Sequence, residues 1–406
     1  MTAEPLELAA ILRDYTPAFL DAYGDRISPE QRRVLRDLVR CRTAELGGHV
    51  EQCDGCGHQR NAYNSCRNRH CPKCQAAARA EWLDERAAEL LATEYFHVVF
   101  TLPADLGPVA LQNPRLVYGT LLQASAQSLL QLARDPKHLG ADIGFLAVLH
   151  TWGQNLHLHP HVHCVVPGGG IALAGDRWLS CRPDFFLPVR PLGRLFRGKF
   201  LAMLQRAYER GLLGFHGQQQ HLADPLAFRE LMASCWQKEW VVYAKPPFGG
   251  PEQVLKYLAR YTHRVAISNQ RLVKVEEGQV FFRWKDYAQG NQQKVMALEA
   301  VEFIRRFLLH VVPSGFVRIR HYGLLGNRVR AENLARCRVL LGMGQVTAAG
   351  GAGPSQGKKD GAASGTETRC PVCGQGRMVR VSKIEPADPD GTEEEVLRVV
   401  AAADTS

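Results

Sequence analysis

Apolar residues recur with a helical period over residues 5–47, 114–134 and 195–242, and again over 298–309. Within the first stretch, "ISPEQRRVLRDLVRCRTAEL" carries its own start signal. Ser28 stands at the N-cap, Pro29 at the first helical position, and Gln31 three residues past the cap, the spacing of a capping box. "AARAEWLDERAAELLATEY" predicts another helix, and so does "PEQVLKYLARYTHRV", opened by Pro251. Elsewhere the pattern is that of strands. "YFHVVFTLP" (95–103) has the β-branched and aromatic content of a buried strand. "DIGFLAVLHTWG" and "HPHVHCVVPGG" predict two neighbouring strands, and "RLVKVEEGQVFFRWKDY" a hairpin turning at Glu277-Gly278.

From Gln345 to Thr368 the chain is rich in Gly, Ala, Ser and Thr and has no apolar period, so it reads as a flexible linker. Four parts follow: a helical and cysteine-bearing module at 1–92, a catalytic domain with a helical insertion at 93–343, the linker at 344–368, and a short CxxC element with a disordered tail at 369–406.

With 406 residues and 46% hydrophobic content, the chain can bury the cores of two or three domains. Its net charge of +10 favours a polyanionic partner such as nucleic acid. The N-terminus has acids and no long apolar core, and no stretch approaches the roughly 20 apolar residues of a membrane span. The expectation is a cytoplasmic protein without a membrane partner. There, twelve cysteines are not expected to form disulfides, and clustered ones read as metal ligands.

"CDGCGHQRNAYNSCRNRHCPKC" pairs Cys53-x2-Cys56 with Cys71-x2-Cys74 across 14 residues, which predicts one four-cysteine structural zinc site. Cys41, His49, Cys66 and His70 lie nearby. They complete a second site, replace a ligand of the first, or serve packing and DNA contact. Arg60, Arg67, Arg69 and Lys73 beside Tyr63 make this loop a candidate DNA surface. Cys370-x2-Cys373 is half a site: either a vestige or a pair that borrows ligands from elsewhere in the fold.

"NLHLHPHVHCVVPGGG" holds His157, His159, His161 and His163 at every second position. On a strand, His161 and His163 share a face and turn Val162 the other way. Two such imidazoles bind one divalent metal if a third ligand approaches; otherwise they line a hydrogen-bonded polar face. A zinc hydrolase is disfavoured, since no HExxH helix accompanies them. Tyr257 and Tyr261 are four apart on a predicted helix and share its face, as do Arg260 and Arg264.

The histidine pair followed by "VVPGGG", the later "YLARYTHRVAIS", the "RIRHYG" beyond it and the N-terminal cysteine module together resemble an insertion-sequence transposase of the two-tyrosine branch of the HUH rolling-circle family. The resemblance spans roughly residues 28–330. It implies an α+β fold, an HUH endonuclease core with a central antiparallel sheet, the histidine strand in its middle and the tyrosine helix across it. It implies that His161 and His163 hold catalytic Mg²⁺ or Mn²⁺, with His159 favoured as third ligand over Gln154 or His263 and with His157 a neighbour. It further implies that Tyr257 and Tyr261 cut and rejoin single-stranded DNA at transposon ends and target through a 5′-phosphotyrosine. Arg260, Arg264, Arg318 and Arg320 would then contact DNA. A plasmid replication initiator or relaxase, or a non-catalytic zinc DNA-binding protein, is the alternative.

Overall fold

In the computed structural model, residues 6–76, 78, 87–245, 253, 265–286, 289–343 and 369–387 are described. The chain divides into two compact units. One joins residues 1–74 to residues 346–406, and the other is residues 75–345.

The first unit begins with the helices Leu8–Tyr23 and Pro29–Val39. Ile11, Leu12, Phe19, Val34, Leu35 and Leu38 are buried. The capping box forms as the spacing predicts: the Gln31 backbone N–H donates to Ser28 Oγ at 3.2 Å, and the Ser28 N–H donates to Gln31 Oε1 at 2.8 Å. Two orphan donors of the helix start are thereby satisfied. Strands β1 (Gly48–Cys53) and β2 (Gln59–Tyr63) form an antiparallel pair. The outer partner of β1 is the last strand of the chain, β14 (Met378–Ile384), which pairs antiparallel with it. The expectation of separate elements at 1–92 and 369–406 is therefore corrected. Ladder hydrogen bonds place both in one three-stranded sheet, and the unit boundary falls after Cys74.

The second unit is built on a five-stranded antiparallel sheet. Its strands are β3 (Tyr95–Thr101), β5 (Gly144–Trp152), β6 (Leu158–Pro167), β9 (Val242–Lys245) and β13 (Ile319–Gly323), in the order β13-β5-β6-β3-β9. The histidine strand β6 lies in the middle, as the resemblance implied. One face carries Phe96, Val98, Phe100, Phe145, Ala147, Leu149, Val162, Cys164 and Val166, and packs into a core with residues of the helices Pro114–Arg134 and Val189–Glu209. The other carries Tyr95, Leu146, Val148 and Val165. Slipping β6 by one residue would drive His161 and His163 into the phenylalanine core. At about 2 kcal/mol per buried apolar side chain, that fixes the register.

Smaller sheets complete the unit. β4 (Ala141–Asp142), β7 (Gly169–Ala172) and β8 (Trp178–Ser180) form one. β10 (Leu272–Glu276), β11 (Gln279–Asp286) and β12 (Gln292–Glu299) form another, with the predicted hairpin turn at Glu277-Gly278. The helix expected over 298–309 runs Ala300–Leu308. The stretch 195–242 resolves into the helices Val189–Glu209 and Pro225–Gln237, then β9. The tyrosine helix and the linker lie wholly or largely outside the described residues, as do 77 and 79–86 of the helix expected at 77–95. The C-terminal part of that expectation is corrected, since 88–94 are turns, bends and irregular chain and Tyr95 opens β3.

Candidate metal centres and nucleic-acid surface

β5 and β6 are joined by a tight connection, so His150 and His161 become direct cross-strand partners. His163, two residues on, shares their face. The metal-capable nitrogens of His150, His161 and His163 all lie within 4.8 Å of one another. His150 and His163 are buried and His161 is half-buried. His150 stacks on Trp152 with ring centroids 4.6 Å apart.

His159, expected as the third ligand, is not in this group. The register between β5 and β6 shifts between His150 and Trp152: Trp152 pairs with Leu158, so β6 has one extra residue around Pro160. Beside that bulge the His159 ring stays 5.0 Å from that of His161, but its nitrogens are not part of the mutual group. Its side chain is exposed. His150 takes its place, a residue that sequence reasoning missed. The available signal was that it stands three residues before the Gly153 turn, so folding the hairpin back sets it opposite His161. The Gln154 backbone carbonyl accepts from Arg271. His157 is exposed and accepts from the Asn155 amide at 3.2 Å.

Hydrogen bonds aim the imidazoles. His161 Nδ1 donates to the His159 carbonyl at 2.5 Å, turning Nε2 outward to a ligand. His163 Nδ1 lies 2.7 Å from His97 Nε2 on β3. Burial, with Lys245 and His161 nearby, pushes the His97 imidazole down to about 3, so it is neutral. With its proton on Nδ1, a neutral His97 accepts from His163 Nδ1–H, the arrangement in which the His163 Nε2 lone pair could ligate a metal.

The connection itself is pinned from beneath. His310 Nε2 donates to the Leu156 carbonyl at 3.1 Å, and Thr151 Oγ1 lies 3.3 Å from His310 Nδ1. Leu156 is fully buried at φ 61°, a left-handed conformation costly for a branched residue.

The cysteines sort differently from the expectation. Cys53 and Cys56 do not meet Cys71 and Cys74. Instead Cys41, Cys66, Cys71 and Cys74 form one group, and Cys53, Cys56, Cys370 and Cys373 form another. The physical reason is that Cys53 ends β1 and Cys56 follows in its turn, where pairing with β14 delivers the C-terminal pair. In the first group, Cys41–Cys74, Cys66–Cys74 and Cys41–Cys71 sulfurs are 3.7, 3.6 and 3.6 Å apart. Zinc bonded to four thiolates at about 2.3 Å sets its sulfurs about 3.8 Å apart, so this donor set fits zinc. His49 instead pairs with Glu51 at 3.0 Å, and His70 is buried outside both groups.

Two family models match the chain. One, described as "Putative transposase", covers residues 144–333, and the other, "Transposase zinc-binding domain", covers residues 11–102. The curated "Putative transposase y4qJ" of Sinorhizobium fredii is 55% identical over 377 residues, covering 92% of this chain and 94% of that protein. The chain belongs to this transposase family. It is also similar to the "Transposase for insertion sequence element IS801" of Pseudomonas savastanoi pv. phaseolicola, at 27% identity over 327 residues, 76% of this chain and 74% of that one. No solved structure matches. The zinc-binding match contains all four cysteines of the first group, and the transposase match contains His150, His161 and His163.

A transposase acts on DNA, and its zinc-binding unit has a cleft of about 870 Å³ lined by Arg40, Arg42, Arg60, Tyr63 and Arg67. Arg40 pairs with Glu45 at 3.1 Å and Arg60 with Glu51 at 2.7 Å. Arg42 and Arg67 are the exposed arginines of this wall, both with left-handed backbone. Arg69 is half-buried beside Arg33, and Lys73 pairs with Glu7 at 2.5 Å. In the second unit Arg318 donates to Gln75 at 3.1 Å, and Arg320 lies over the Phe316 ring. Tyr322 packs on Phe145 and the main core, away from the histidine face, which argues against base stacking by its ring. Tyr257, Tyr261, Arg260, His263 and Arg264 lie outside the described residues. Among the described residues no helix is long and apolar enough to cross a membrane.

Proposed function

We propose that this transposase nicks and rejoins single-stranded DNA in rolling-circle transposition, with one divalent cation on His150, His161 and His163 and with Tyr257 and Tyr261 as nucleophiles. The observation that carries the reading is the three-histidine group on the middle of the antiparallel sheet, inside the family's matched region. A cation held there would supply Lewis-acid charge to the scissile phosphate. Three imidazoles suit Mn²⁺ better than Mg²⁺.

The chain's own residues do the rest. His97 and the His159 carbonyl fix the orientation of the ligating rings. A tyrosine Oη loses its proton and attacks phosphorus, the bond from phosphorus to the 3′ oxygen breaks, and the departing oxygen takes a proton to become a free 3′-OH. The 5′ phosphate stays on the tyrosine. The link conserves the phosphodiester energy, so a later 3′-OH can reverse the step. Two tyrosines one helical turn apart serve two successive transfers, one holding the first cut end while the other takes the next.

The test uses 3′-labelled single-stranded oligonucleotides of element-end sequence, incubated with the protein and Mn²⁺. A covalent adduct that survives denaturation is expected, lost in the Tyr257→Phe/Tyr261→Phe double variant and in His161→Ala. An adduct that persists in both variants would sink the assignment. Adducts formed only with plasmid-origin sequences would point to a replication initiator or relaxase, and no adduct at all to a zinc-dependent DNA-binding protein.

A further inference from the structure

The zinc-binding family match, residues 11–102, contains only half of the second cysteine group: Cys53 and Cys56 lie within it, Cys370 and Cys373 far beyond it. Cys53 ends β1 and Cys56 lies in the turn after it, while Cys370 and Cys373 precede β14. The sulfurs of Cys56 and Cys370 are 3.6 Å apart, and those of Cys53 and Cys373 are 3.7 Å apart, although the partners are 314 and 320 residues distant in sequence. These are again the edges of a tetrahedron about a zinc ion bonded at about 2.3 Å. All four sulfurs lie within one first-unit cluster, and none is in a disulfide.

The two halves are built alike. Each reads Cys-x2-Cys-Gly, and in each the glycine is left-handed: Gly57 at φ 73° and Gly374 at φ 68°. Gly57 N–H donates to the Cys53 carbonyl at 3.0 Å, and Gly374 N–H to the Cys370 carbonyl at 2.9 Å, closing the same turn. Backbone N–H groups point at the sulfurs from both sides. Gly55 and Cys56 donate to Cys53 Sγ, Val372 to Cys370 Sγ and Gly376 to Cys373 Sγ, each at 3.4 Å. Donors so placed favour thiolates, the form that binds metal. By contrast, Cys71-x2-Cys74 runs into a helix and lacks the glycine.

Further bonds bring the halves together. Arg377 N–H donates to Asp54 Oδ1 at 2.7 Å, and Asp54 N–H to the Arg377 carbonyl at 3.0 Å. Gly376 packs so tightly on Cys53 that a Cβ there would lie 2.3 Å from its sulfur.

We infer that Cys53, Cys56, Cys370 and Cys373 hold a second structural zinc ion, which fastens the C-terminal strand to the N-terminal module. This site is independent of the DNA chemistry proposed above. The chain crosses the whole catalytic unit before returning to close it. An ion gripping both ends removes chain entropy from the unfolded state as a cross-link over a very long loop does.

Metals are counted per full-length chain, purified with zinc and iron both supplied. The His161→Ala/His163→Ala background is used so that the histidine group does not contribute. Two zinc ions per chain are expected, falling to one in Cys370→Ser/Cys373→Ser. One zinc in the parent, two retained in that variant, or iron in place of zinc overturns the proposal. Because cysteine variants can fold poorly, a protease site is also placed between residues 351 and 355 of an otherwise unaltered chain, which is then cut. The C-terminal fragment should co-elute with the body in zinc and separate once a chelator strips the metal. Separation in the presence of zinc, or continued co-elution after stripping, overturns it equally.

Discussion

His97 Nε2 and His163 Nδ1 face each other at 2.7 Å across the β3–β6 pair, with their rings stacked at 5.0 Å. In the proposed site, His97 would thus set the proton position of a histidine that holds the cation. His97→Ala leaves His150, His161 and His163 present but releases the orientation of His163. Mn²⁺ affinity, followed by titration calorimetry on the folded variant, should fall about 10- to 100-fold. Unchanged affinity would reduce His97 to a packing residue.

His150 and His159 make opposite predictions. His150→Ala removes a ligand and should cost more Mn²⁺ affinity than the His97 change, with parallel loss of DNA adduct. His159→Ala keeps the carbonyl that His161 uses, so affinity should change less than about twofold. The reverse ranking would restore His159 as the third ligand.

His310 makes stability pH-dependent. Burial pushes its imidazole from the ordinary 6.5 down to about 4. The unfolded chain therefore takes up a proton at higher pH than the folded one. The stabilisation is complete above about 6.5 and is lost as pH falls toward 4, on the order of 2–3 kcal/mol. Thermal melting between pH 7 and 4 should show this loss in the parent and a flatter profile in His310→Phe. That variant should also be less stable at pH 7, since the Leu156 carbonyl loses its donor. Equal slopes in the two proteins would rule out His310 as the source.

Glu302 extends the acid sensitivity. Hydrogen bonds from Arg305, then Arg306, hold its carboxyl down to about 2 against an ordinary 4.5. A depressed carboxylate stabilises above its unfolded value and loses that contribution as pH falls from 4.5 to 2. On a partly exposed site this is about 1 kcal/mol or less. Glu302→Gln should melt lower than the parent at pH 7 and converge with it only as pH approaches 2.

Ser28→Ala removes one side of the capping box and should destabilise the zinc-binding unit by about 1 kcal/mol, read from its denaturant midpoint with metal retained.

Elements set by local pattern were legible in the sequence. The capping box at Ser28, the helix Pro114–Arg134, the Glu277-Gly278 hairpin and the shared face of His161 and His163 each depend on residues a few positions apart. What escaped depended on pairing between distant or irregular segments. His150 becomes visible only once β5 and β6 are aligned, and the extra residue near Pro160 could not be read from the alternation of histidines. Cys53-x2-Cys56 has a nearer candidate partner in Cys71-x2-Cys74, and only tertiary pairing of β1 with β14 prefers the distant one. Tyr322 shares strand parity with Arg320, but the core claims its ring.

The pairing of β1 with β14 also imposes a timetable. A ribosome synthesises β1 some three hundred residues before its outer partner. Until Ile384 has emerged, one edge of β1 presents unpaired backbone donors and acceptors, a template for wrong strands. A nascent chain, or one broken off after the catalytic unit, carries that open edge. The arrival of β14 is what caps it.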